Sequence, residues 1–190
     1  MKVKLSKKAI KEKRHRQWVI NITIATFVLT FLISYISDAI LSNTPIFVSF
    51  IILLVIISIG IISDTIGIAV TAVDIHPFNA MSSKRIKGAK TSVALVKDAT
   101  RVSNFCNDVV GDICGIVSGV TSITIVLQLA AHYPPINVAL MTLVLSSVVA
   151  SITVGGKALG KDIAMKHGTA IIHGLSVIIA SVKIAVKGSE

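Results

Sequence analysis

The stretch IFVSFIILLVIISIGIISDTIGIAV, residues 46–70, carries one charged side chain, Asp64, in 25 positions. As a helix rising 1.5 Å per residue it would be about 37 Å long, more than the roughly 30 Å of a bilayer's hydrocarbon core. No strand or surface helix of a soluble domain has a comparable composition, so this run predicts a membrane-spanning helix. On either side of it, residues 18–36, 104–130 and 137–154 repeat the pattern. Over all 190 residues 53% are apolar and 15% are charged, whereas about a quarter of a soluble domain is charged. The expected fold is an all-α integral membrane protein with about four transmembrane helices, residues 18–190 forming the membrane domain and residues 1–17 a basic cytoplasmic segment.

Nineteen Lys and Arg oppose nine Asp and Glu, a net charge of +10. The basic residues fall in three blocks: eight in residues 1–17, six in residues 74–101 and five after Gly156. Segments 37–45 and 131–136 contain none. Short basic loops stay in the cytoplasm, so the N-terminus is expected inside a cell (plasma) membrane, with the spans alternating outward and inward from there. Topology accounts for every basic cluster, and nucleic acid is not an expected partner. The first apolar run exceeds the 7 to 15 residues of a signal-peptide core and is expected to remain as an anchor. Cys106 and Cys114, both within the third run, are expected as small buried side chains.

Between the second and third spans, residues 82–101 place Ile86, Ala89, Val93 and Val96 on one helical face and Lys87, Lys90, Lys97 and Arg101 on another. This predicts one basic amphipathic helix along the cytoplasmic surface. Residues 168–186 have a narrow polar stripe, Lys166, Thr169, His173, Ser176, Lys183 and Lys187. They are expected to form a C-terminal amphipathic helix, with a fifth crossing as the alternative, and residues 155–162 to bend the chain into it.

Acids inside an apolar layer are costly and point to function. Asp64 lies in the second span, and Asp108 and Asp112 lie one turn apart on the third. Counted from the outer ends, Asp64 is 18 residues in from residue 46 and Asp112 is 18 in from residue 130, so the two share a depth. Ser63, Asn107 and Asn104 add hard oxygen donors of the kind that suit Mg²⁺. Within these span boundaries no Lys or Arg is available to neutralise the acids. A cation, protons or a water-filled vestibule is therefore expected here, a cation site being formed by Ser63, Asp64, Asn107, Asp108 and Asp112. The competing reading has Asp108 hydrated at the surface and Asp64 bonded to a neighbouring helix. Gly111, Gly115 and Gly119, at four-residue spacing, are expected to form a helix contact, within one chain or between two. No nucleophile in a recognisable turn and no glycine-rich phosphate loop occurs, so an enzyme is not expected.

The segments IISDTIGIAVTAVD (61–74), KRIKGAK (84–90), RVSNFCNDVVGDICG (101–115) and VGGKALGKDIA (154–164) resemble the transmembrane domain of the CorC and cyclin M family, over about residues 46–184. Ser63 and Asn107 match the family's serine and first asparagine. The family's glutamate position falls on Ile66, leaving Asp64 as the nearby acid, and its final motif retains Gly155 and Lys161. The CBS-pair domains of full-length members have no counterpart in this sequence. The resemblance implies Mg²⁺ or Co²⁺ transport, a homodimer, and a cytoplasm-open site between the second and third spans. A separate regulatory protein is a further expected partner, and no organic cofactor is expected. The readings to be weighed are divalent cation transport or exchange, proton-coupled transport on the same carboxylates, and a non-transporting scaffold or accessory subunit that binds a partner protein or anionic lipid.

Overall fold

A computed structural model describes residues 2–41, 44–135 and 137–187. The side chains of residues 1–15 and 183–190, which include most of the basic N-terminal run and Lys183 and Lys187 of the tail stripe, lie outside the described residues. The elements are α1 (Lys2–Leu41), α2 (Ile46–Ala72), α3 (His76–Ser83), α4 (Ala89–Lys97), α5 (Ala99–Asn104), a π-helical segment (Phe105–Gly111), α6 (Asp112–His132) and α7 (Val138–Lys187). No strand occurs among the described residues. Four helical stretches, Val19–Ser37, Ile46–Ala72, Ala99–His132 and Val138–Val182, are long and apolar enough to cross a membrane. Large apolar side chains face outward along them, among them Phe27, Phe31, Phe47, Leu140 and Leu143. That outer surface suits lipid rather than water, as expected of an all-α integral membrane protein.

Alternating spans put the N-terminal run, α3 and α4 at one end of the bundle, here the basic end. The two loops without Lys or Arg are at the other. The deepest packing is between α2 and α7, which run in the same direction. A side chain on Gly156 would strike Ile61, one on Gly160 would strike Thr65, and one on Gly168 would come within 2.7 Å of Val73. With buried Ala164, these positions at steps of four form a stripe of small residues that lets the two backbones approach closely. Leu53, Ile57, Ile125 and Val149 fill the half of the bundle away from the basic end. Ala69, Val70, Phe78, Ala164 and Ile172 fill the basic end. The long α1, about 60 Å at 1.5 Å per residue, lies along the outside, where Ile22 packs on Val109, Ile113 and Val117.

Three expectations about helix boundaries need correction, and one of the two alternatives for the glycine stripe is excluded. The segment between the second and third spans is two short helices, not one spanning residues 82–101. Pro77 opens α3, and the chain reverses through Arg85 (φ 56°) and Gly88 (φ 83°) before α4. Gly88 also lies against Val177 of α7, where a Cβ would come within 2.9 Å. The third span begins at Ala99 rather than residue 104, and it passes through a π-helical segment. The bend expected at residues 155–162 is absent, because Gly156 and Gly160 are held in regular helix by their contacts with α2. The helical path instead breaks at His167 (φ −121°, ψ 17°). The tail beyond it packs through Ile172 into the basic-end cluster and through Val177 on Gly88. Gly115 and Gly119 do not form the expected contact within the chain, since a Cβ at either meets nothing within 4 Å.

The contrast between the two glycine sets predicts opposite effects of adding a side chain. Gly160→Val should destabilise the protein by about 1–3 kcal/mol through overpacking against Thr65. Gly115→Ala should be neutral or stabilising by up to about 1 kcal/mol, since it removes a helix-interior glycine. Unfolding midpoints in detergent check both.

Candidate functional site

The candidate site follows from the directions in which α2 points its residues. At about 100° per residue, Gly60, Ser63 and Gly67 share the face toward the third span, and Ile61, Thr65 and Ala69 share the face toward α7. Asp64 falls between these faces, so its carboxylate enters the crevice where α2, the π-helical segment and α7 meet.

Each contact on the first face is close. A Cβ on Gly60 would be 3.0 Å from Cys114 Cβ. The Ser63 hydroxyl donates to the backbone carbonyl of Cys106 at 2.9 Å. The side-chain amide of Asn107 occupies the space where Gly67 would otherwise carry a Cβ. Asn107 Nδ2 donates to Ser103 Oγ at 3.3 Å, while its Oδ1 is buried with no hydrogen-bond partner. A buried carbonyl oxygen without a donor costs about 1–3 kcal/mol. The contacts of Ser63 and Gly67 fall on the π-helical segment Phe105–Gly111, whose i→i+5 turns are rare and concentrate at functional sites.

The second face supplies the charge. Lys157 Nζ lies 3.4 Å from Asp64 Oδ1, the lysine side chain being 31% exposed and the aspartate 16%. The position of a Cβ on Gly111 lies 3.6 Å from the same ammonium, so the lysine head reaches the π-helical segment. Lys157 is 19 residues into α7 and Asp64 is 18 into α2, which explains their common depth in parallel helices. The expectation that no basic residue meets the intramembrane acids is thereby corrected: the regular helix through Gly155 and Gly156 carries Lys157 back into the bundle.

The five residues expected to form one cation site divide into three places. Ser63, Asp64 and Asn107 lie at the junction of α2 with the π-helical segment. Asp108 is exposed and lines a cavity of about 430 Å³ with Val19, Ile22, Thr23, Thr26, Asn104 and Val109. Asp112 is exposed. Among the described residues no three His, Cys, Asp or Glu side chains come together as metal ligands, so the carboxylates do not converge as the shared depth suggested. The π-helical turns rotate Asp108 toward α1 and away from Asp64. Sequence reasoning missed Lys157, the Cys106 carbonyl and Gly67. Counting depth along the fourth span as it was counted along the second and third would have found Lys157. Nothing in the sequence pointed to the carbonyl.

Comparison with protein-family models, with curated proteins and with solved structures finds no match.

The Asp64 and Lys157 pair should couple in a double-mutant cycle. With both groups partly exposed, the coupling should be about 1–3 kcal/mol, between the values of surface and buried pairs. Asp64→Asn and Lys157→Met should each lower the unfolding midpoint, and the double variant should recover part of the loss.

Proposed function

We propose that this protein binds a divalent cation, Mg²⁺ or Co²⁺, at the junction of α2 and the π-helical segment, and carries it across the membrane. The observation that carries this reading is the buried, partnerless Oδ1 of Asn107 on the same helical segment as the Cys106 carbonyl that meets Ser63, with Asp64 next in sequence. An amide oxygen, a hydroxyl, a backbone carbonyl and a carboxylate are the donors a hard cation requires. Asp64 supplies the charge, and Ser63 and Asn107 supply neutral oxygens. Asp108, beside Asn104, Thr23 and Thr26 in the cavity against α1, attracts the hydrated ion. Asp112 contributes to the local negative potential rather than to the inner ligand set. With the basic end in the cytoplasm, as the charge distribution of the loops favours, both the cavity and the inner site open on the cytoplasmic side. A homodimer in a plasma membrane is part of the same reading.

The test is Mg²⁺ titration by calorimetry in lipid nanodiscs, paired with flux into liposomes. Asp64→Asn and Asn107→Ala should each weaken Mg²⁺ binding by about tenfold or more, as expected for loss of a charge-assisted or buried ligand, and abolish flux. Asp108→Asn should leave the affinity within about threefold but slow flux at low ionic strength, where steering is strongest. Unchanged binding in Asp64→Asn would overturn the assignment.

One observation favours a second reading, a non-transporting scaffold or accessory subunit. Gly115 and Gly119 leave open space on α6 beside exposed Ile116 and Ile123, a surface suited to another helix. Gly115→Leu should then abolish a stoichiometric crosslink in the membrane without changing Mg²⁺ binding.

A further inference from the structure

We propose that Lys157 is a built-in competitor of the transported cation: its ammonium holds Asp64 when the site is empty and must leave the carboxylate before a divalent ion can bind. This inference rests on the cation-site reading above and adds the step that regulates it.

Three features of the pair carry the inference. First, the ammonium lies at 3.4 Å from Asp64 Oδ1, longer than the 2.7–2.9 Å of a strong charge-assisted hydrogen bond. Neither group forms another ion pair or hydrogen bond among the described residues. The contact neutralises charge without the fully bonded geometry that would fix a structural pair in place. Second, the space is single. Nζ lies 3.6 Å from the position of a Cβ on Gly111, in the crevice between α2 and the π-helical segment. A divalent ion ligated by Asp64 there would face a like charge at contact distance, so the two occupants exclude each other. Third, the lysine has somewhere to go. Its side chain is 31% exposed, and a four-carbon stem can carry its head to the aqueous boundary.

An occupant tethered to the wall has two consequences for a transporter. The empty site keeps Asp64 neutralised inside the apolar layer, where a bare carboxylate would be unfavourable. Affinity for the cation is lowered by the work of displacing the ammonium, which eases its release.

The experiment is Mg²⁺ titration of wild-type protein, Lys157→Gln, Lys157→Arg and Asp64→Asn in nanodiscs, with lysine footprinting of the wild type by an amine-directed reagent read by mass spectrometry. Lys157→Gln should bind Mg²⁺ about tenfold or more tightly than wild type, because nothing has to be displaced, while Lys157→Arg should keep a weak, wild-type-like affinity. In the wild type, saturating Mg²⁺ should raise labelling of Lys157. Equal or weaker binding in Lys157→Gln, or labelling of Lys157 that does not change with Mg²⁺, overturns the competitor role. The footprint needs no variant, so it decides the matter even if Lys157→Gln does not fold. Failure of the underlying reading looks different: wild type and Asp64→Asn would then titrate alike.

Discussion

A carboxylate within an apolar layer has to be neutralised, and the basic half of this bundle is organised around the way Asp64 is met. Its position between two faces of α2 directs it to the one line where three helices converge. The answering charge comes from α7 at the same depth, 3.4 Å away. Because α2 and α7 run parallel, the match in depth extends to their other contacts. Gly156 meets Ile61, Gly160 meets Thr65, and Gly168 meets Val73, each pair carrying the register one turn or more further along.

The close approach of α2 and α7 gives Lys157 its reach, and it depends on residues without side chains. The same holds across the crevice, where Gly67 admits the Asn107 amide. Three helices brought this close bring a hydroxyl, a backbone carbonyl, an amide and a carboxylate into a region that would otherwise be uniformly apolar. The π-helical turns belong to this arrangement: Cys106 and Asn107 face α2, and Asp108 is left to face α1. The proposed ion pathway thus has an outer part, the cavity between α1 and the third span, and an inner part at Asp64.

The number of spans was legible in the sequence because long apolar runs have few alternatives in a membrane protein. Ser63, Asp64 and Asn107 were legible as individual polar residues, which stand out in such runs, but only within a five-residue set that included Asp108 and Asp112. Two parts were not. The π-helical segment has no compositional signature in FCNDVVG, and α-helical spacing applied to it put Asp108 and Asp112 with Asp64. The Gly155 and Gly156 pair looked like a turn, since paired glycines usually mark one; the close packing on α2, a tertiary effect, kept the helix regular instead. Assigning Lys157 to a turn removed it from the apolar layer and made the acids look unpaired. The tail was partly legible: its break falls at His167, one residue before the helix that the polar stripe suggested.

The measurement that bears most directly on the central claim is an experimental structure of the protein in lipid with Mn²⁺ in place of Mg²⁺, so that anomalous scattering locates the ion. The account predicts one strong peak within about 2.0–2.6 Å of an Asp64 carboxylate oxygen and Asn107 Oδ1, with the Lys157 ammonium withdrawn from Asp64. No peak at the junction of α2 and the π-helical segment, with the Asp64 and Lys157 pair intact at saturating Mn²⁺, would contradict it.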